Sequence, residues 1–150
     1  ETQKVLLAYG VLASKFRKYY ETAANMRGVT GENMLALLER RLDNVCYRLG
    51  FGDSRPMARQ IVTHGHVRVN GKKVDICSYQ VKAGDVITVK ERTADNEYFK
   101  TLKEQGTART VPQWLEFDAE KLTGKVVALP TRQDIDLTIE EHLIVEYYSR

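Results

Sequence analysis

Residues 54–74 read SRPMARQIVTHGHVRVNGKKV and hold five Lys or Arg, two His and no Asp or Glu. Arg55 and Arg59 are four apart, so on a helix they share a face. Arg68, Lys72 and Lys73 follow closely, and Arg40 and Arg41 precede. Seven cations, the last five with no anion among them, repel one another unless something negative neutralises them. Phosphates do this, releasing counterions as they bind. Keeping Asp and Glu out leaves the arginines no internal competitors. The pattern implies an RNA-binding surface that reads a folded backbone by shape. His64 and His66 serve packing or phosphate contact in the middle of the segment, and Tyr79 and Gln80 are further candidate contacts beside it.

The charge balance of the whole chain agrees. The net charge is +3, but residues 1–92 carry 16 Lys and Arg against 9 Asp and Glu, a balance of +7. Residues 93–150 carry 7 against 11, a balance of −4. One part then meets a polyanion while the other faces water or a basic protein.

Other chemistries find less support. Cys46 and Cys77 are 31 positions apart with no CxxC, which argues against a zinc site or a disulfide framework and fits two reduced cysteines in the cytoplasm. His64-Gly-His66 is at most half a metal site, so neither a metal nor a cofactor is expected. Asp134, Asp136, Glu140 and Glu141 could suggest paired catalytic carboxylates, but a helix start that favours anions explains Glu140 and Glu141 more simply. Gly50-Phe-Gly52 is too sparse to cradle a phosphate. No apolar run approaches the roughly 20 residues that span a bilayer, and no signal peptide opens the chain, so no membrane partner is expected.

The elements that position these residues follow from spacing. Apolar residues from Val5 to Ala24 recur every three or four, predicting an amphipathic helix that ends near Arg27-Gly28. Thr30 caps a second helical run, whose stripe Leu35, Leu38, Leu42, Val45 and Leu49 is one helix or two, with Asp43-Asn44 able to recap it. Ser54 caps a short helix with Pro56 in its first turn, and Gly65 ends it. Residues 66–74 form a hairpin around Asn70-Gly71, with Val67 and Val69 on one side and Arg68 on the other. A strand over 86–90, a helix over 95–105 stopped by Gly106, and strands over 114–118 and 125–129 follow. The close, from Thr138, opens with a Thr/Glu capping box and reads as a helix, although 143–145 would suit a strand. Ile144, Tyr147 and Tyr148, with Leu143 beside them, predict docking on the opening helix through Leu12, Phe16 and Tyr19-Tyr20.

RLDNVCYRLGF (41–51), SRPMARQIVTHGHV (54–67) and VNGKKV (69–74) resemble the RNA-binding motif of the bacterial small-subunit ribosomal protein S-four family. YGVL (9–12), FRKYY (16–20), TGENMLALLE (30–39), SYQV (78–81) and EHLIVEYYSR (141–150) are similar to the same family, so the resemblance covers the chain. It implies an α+β fold: a helical domain of residues 1–40 joined by 139–150, with an inserted RNA-binding domain, 41–138, of antiparallel sheet and helices whose core motif is 41–92. It also implies early binding to small-subunit ribosomal RNA, contact with the fifth small-subunit ribosomal protein at an interface tied to decoding fidelity, and a place near messenger RNA on the ribosome. The resemblance further implies an N-terminal segment, with zinc-binding cysteines in some members, that is expected to be missing from this sequence.

Two rival readings find less support. Arg41-Leu42-Asp43 is similar to the triplet around the catalytic Asp of pseudouridine synthases, but here it opens the RNA-binding module, and the 58 residues after position 92 are too few for a catalytic domain. Asp43 as a helix cap is the better reading. A free-standing module acting on ribosomal subunits would need neither the long helical start nor the matching C-terminus. The expectation is a non-enzymatic ribosomal RNA-binding protein.

Overall fold

The computed structural model describes residues 9, 11, 13–107, 109–135 and 141–149. They cluster into two compact units, one drawn from residues 1–39 and 130–150 and the other from 40–129. The fold class is α+β.

In the second unit, helices α3 (Leu42–Leu49), α4 (Arg55–Thr63), α5 (Glu91–Ala94) and α6 (Glu97–Gln105) accompany an antiparallel sheet. Its strands are β1 (Val67–Val69), β2 (Lys72–Lys73), β3 (Val86–Val89), β4 (Leu115–Asp118) and β5 (Thr123–Val126), in the order β2-β1-β3-β5-β4. Alternation decides which face is buried. Val67 and Val69 join a core with Val45, Leu49, Ile61, Val62, Ile87, Phe99 and Trp114, while Arg68 between them stays exposed. That core fixes α3 and α4 against the sheet, and so fixes the cations they carry.

Glycine sets the closeness of the turn between these helices. A Cβ added at Gly52 would stand 2.5 Å from the backbone nitrogen of Ala58 and 2.6 Å from its Cα. Backbone cannot yield as a flexible side chain does, so Gly52→Ala should destabilise this unit by about 1–3 kcal/mol or more. Urea unfolding checks this, and parental stability would show that the turn can open freely.

Several elements depart from expectation. The stripe through Leu35–Leu49 is two helices, α2 (Thr30–Glu39) and α3, separated by Arg41 in an extended conformation that bridges Gln80. Thr30 is taken into α2 as its first residue, and the preceding Val29 carbonyl accepts from Asn33 N–H at 2.9 Å. The helix expected over 95–105 is α6, started by Asn96, which accepts from Phe99 N–H at 3.0 Å; the short α5 that precedes it is an addition. The last strand begins at Thr123 rather than 125. Gly124, tight against Leu49, lets it lie under α3, and Leu129 is left exposed.

The first unit combines α1 (Ala13–Ala24), α2, a 3-10 turn (Arg132–Asp134) and α7 (Glu141–Ser149). Phe16, Met34, Leu35, Leu38, Ile135 and Ile144 form its core. Tyr148 stacks on Tyr20 with centroids 5.2 Å apart and lies 6.0 Å from Phe16. Tyr147 and Leu143 stay exposed, so the docking face of α7 is Ile144 with Tyr148 and is narrower than the sequence suggested. Residues 143–145 are helical. Asp134 accepts from Thr131, and Glu141 pairs with Arg132 at 2.9 Å. Val5, Leu6, Leu12, Asp136, Glu140 and the capping box at Thr138 lie outside the described residues.

Candidate nucleic-acid interface

Local chemistry builds the basic surface. Ser54 accepts from Met57 N–H at 3.2 Å, capping α4 so that Arg55 and Arg59 lie on its first two turns. At the far end His64 closes the helix, and Gly65, at φ +78°, reverses the chain into β1. The hairpin turns on Asn70 (φ 52°) and Gly71 (φ 82°), the two positive angles of a type I′ turn. Asn70 then donates to Asp85 at 3.0 Å and accepts from Val86 N–H at 2.9 Å, which fastens the hairpin to β3. Arg68, Lys72 and Lys73 are exposed on it, and the Lys73 stem lies against the Gly65 turn.

Arg68 stands directly opposite Lys73 across the β1–β2 ladder. Like charges in that position destabilise a sheet. Among the described residues, neither forms an ion pair. The hairpin thus carries an uncompensated cationic face.

The helical side is different, and the expectation that no anion competes for the arginines is overturned. Asp43 lies buried between them. Its carboxylate accepts from Arg41 Nε at 3.0 Å and Nη2 at 2.9 Å, from Asn44 N–H at 2.7 Å, and stands 3.7 Å from Arg59 Nε. Asp43 is therefore an ion-pair centre in the first turn of α3 and not its cap. Arg41 is only 5% exposed and leaves the surface patch, because its fork is committed to Asp43. Arg40 donates through Nε to the Val81 carbonyl at 3.0 Å and is half-buried. Burial holds its pKa below the usual arginine range although Asp85 pulls it up. Arg59 keeps 42% of its side chain exposed. Arg55 donates to Asn44 Oδ1 at 2.6 Å and lies 4.5 Å from the Tyr47 ring centroid.

The remaining candidates divide as follows. His64 is exposed at the end of α4. His66 shares a 2.6 Å hydrogen bond with Thr93, and its ring is held below the ordinary histidine range, first by burial and then by Lys90 and His64. Both the burial and the neighbouring cations favour its neutral form. Tyr79 accepts from Leu42 N–H at 2.9 Å, and Gln80 bridges Arg41, so the backbone of both anchors the start of α3. Cys46 is buried, and burial pushes its thiol far up in pKa, ahead of the nearby Asp43 and Cys77. Among the described residues no group of three potential metal ligands occurs, and no helix is long and apolar enough to cross a membrane.

Sequence reasoning missed Asn44, Tyr47 and Arg109. Arg109, far along the chain, donates to the carbonyls of Tyr47 (2.6 Å), Gly52 (2.7 Å) and Asp53 (3.2 Å). Neither periodicity nor a charge run marked it.

Comparison with known proteins bears on the whole chain. A family model described as ribosomal protein S4/S9 N-terminal domain matches residues 1–39, and one described as S4 domain matches 40–87. Small ribosomal subunit protein uS4A of Clostridium novyi is 61% identical over 150 residues, spanning all of this chain and 72% of that protein. Small ribosomal subunit protein uS4 of Caldicellulosiruptor saccharolyticus is 59% identical, and that of Ruminiclostridium cellulolyticum 57%, over the same spans.

Proposed function

Because the chain belongs to the family of small ribosomal subunit protein uS4, we propose that it is a structural constituent of the small ribosomal subunit that binds the subunit's RNA through α4 and the β1–β2 hairpin. The observation that carries the RNA-binding surface is the Arg68–Lys73 pair, a like-charge juxtaposition that RNA phosphates would relieve. Arg55, Arg59 and Lys72 extend that surface, and Arg40, His64, His66, Tyr79 and Gln80 lie on its margin. Early binding during assembly and a share in decoding fidelity belong to the same reading, as does proximity to messenger RNA. In this reading the RNA is a binding partner and not a substrate, in keeping with a ribosomal protein family.

A contact with the fifth small-subunit ribosomal protein fits the acidic part of the chain, where Glu116, Asp118 and Glu120 are exposed on and beside the edge strand β4. Such complementarity sets orientation and association rate more than affinity.

Offered naked RNA from both ribosomal subunits in competition, the chain should retain the small-subunit RNA. Equal retention, or preference for large-subunit RNA, would favour a free-standing module acting on ribosomal subunits.

A further inference from the structure

We propose that Arg109 is a positioning residue for RNA binding, acting through Tyr47 on Arg55. This rests on the RNA-binding reading above. The guanidinium of Arg109 lies 4.0 Å from the Tyr47 ring centroid, and that of Arg55 lies 4.5 Å from the same centroid. One electron-rich ring is thus shared by two cations that repel each other. Their roles differ. Arg109 directs its Nη atoms at three carbonyls, those of Tyr47, Gly52 and Asp53. Its Nε is buried and makes no hydrogen bond among the described residues.

The Tyr47 carbonyl is in the last turn of α3, and those of Gly52 and Asp53 belong to the segment that joins α3 to α4. The same segment is held by Tyr98, which donates to the Gly50 carbonyl at 2.7 Å, and it ends at Ser54, the cap of α4. Arg109 therefore fastens the turn from which Arg55 starts and supports the ring on which Arg55 rests. Arg55 also donates to Asn44 Oδ1 at 2.6 Å. A side chain gripped at two points gives up less freedom when it meets a phosphate, and this pre-organisation strengthens binding. Arg109 lies in the acidic part of the chain, so a residue outside the basic segment sets the geometry of a cation within it.

A double-mutant cycle tests this on the full chain with naked small-subunit RNA across a salt series. Arg55→Ala alone should weaken binding on the order of tenfold and lower the salt slope by about one unit. Arg109→Met alone should weaken it several-fold and lower the slope in the same sense. In the Arg55→Ala background, Arg109→Met should change neither affinity nor slope, since what it positioned is gone. Arg109→Lys keeps the charge without the fork and should behave like Arg109→Met; it also serves if the Met variant folds poorly. Equal losses in both backgrounds would overturn the proposal by making Arg109 a contact or a general stabiliser. So would full affinity in Arg109→Lys, which would leave charge alone at work. If Arg55→Ala weakens binding and Arg109→Met does not, positioning fails while the RNA surface stands. If Arg55→Ala has no effect, the placement of that surface on α4 fails too.

Discussion

Replacing Asp43 with alanine should destabilise the second unit by about 3–5 kcal/mol, the range expected when one partner of a buried ion pair is removed. The side chains of Arg41 and Asp43 are each only 6% exposed, and their fork closes at 2.9 and 3.0 Å. Without the carboxylate, the Arg41 guanidinium keeps its burial but loses its counter-charge, and the Asn44 N–H loses an acceptor. Backbone links are affected too, because Arg41 bridges Gln80, and Leu42 and Asp43 donate to the carbonyls of Tyr79 and Cys77. Trp114 is the sole tryptophan and is 2% exposed, so its fluorescence reports unfolding of this unit in urea. A loss below about 1 kcal/mol would place Asp43 among ordinary surface pairs and contradict the geometry.

Arg59→Glu should weaken binding to small-subunit RNA on the order of a hundredfold and lower the salt slope by about one unit. Two effects add. The variant removes a cation whose side chain is 42% exposed on α4 and puts a carboxylate where phosphate is expected. It also stands that carboxylate beside Asp43, whose Oδ2 lies 3.7 Å from the present Nε. Arg41 already satisfies Asp43, so the fold should lose far less stability than in Asp43→Ala. Filter binding at several salt concentrations, with unfolding measured alongside, separates the two. Undiminished affinity at every salt concentration would remove α4 from the interface.

What the sequence made legible was local. Ser54 followed by Pro56, and Asn70 followed by Gly71, act through their own backbone, so the short helix and hairpin could be placed within a residue or so. Val67 and Val69 announced the buried side of β1 by alternation alone. What stayed hidden depends on residues that meet only after folding. Asp43 adjoins a helix run that invites a cap, yet it is claimed by Arg41 two positions away and approached by Arg59 sixteen away. Arg109 reaches Tyr47 across 62 residues, a pairing that no periodicity could carry. The register of β5 turns on Leu122, which adopts φ 47°, and on the fit of Gly124 under Leu49; both are tertiary demands. Tyr147 and Tyr148 are adjacent aromatics, and only the helix's rotation against Phe16 and Tyr20 decides which is covered.

The most direct test is the salt dependence of affinity for naked small-subunit RNA, compared between the chain and a variant carrying Arg68→Ala, Lys72→Ala and Lys73→Ala. All three side chains are exposed, and removing the opposed Arg68–Lys73 charges should leave stability unchanged or slightly raised. If the hairpin face meets phosphate, the slope of log affinity against log salt becomes shallower by about two to three units, and binding at low salt falls steeply. A slope identical to that of the parent chain would contradict the account.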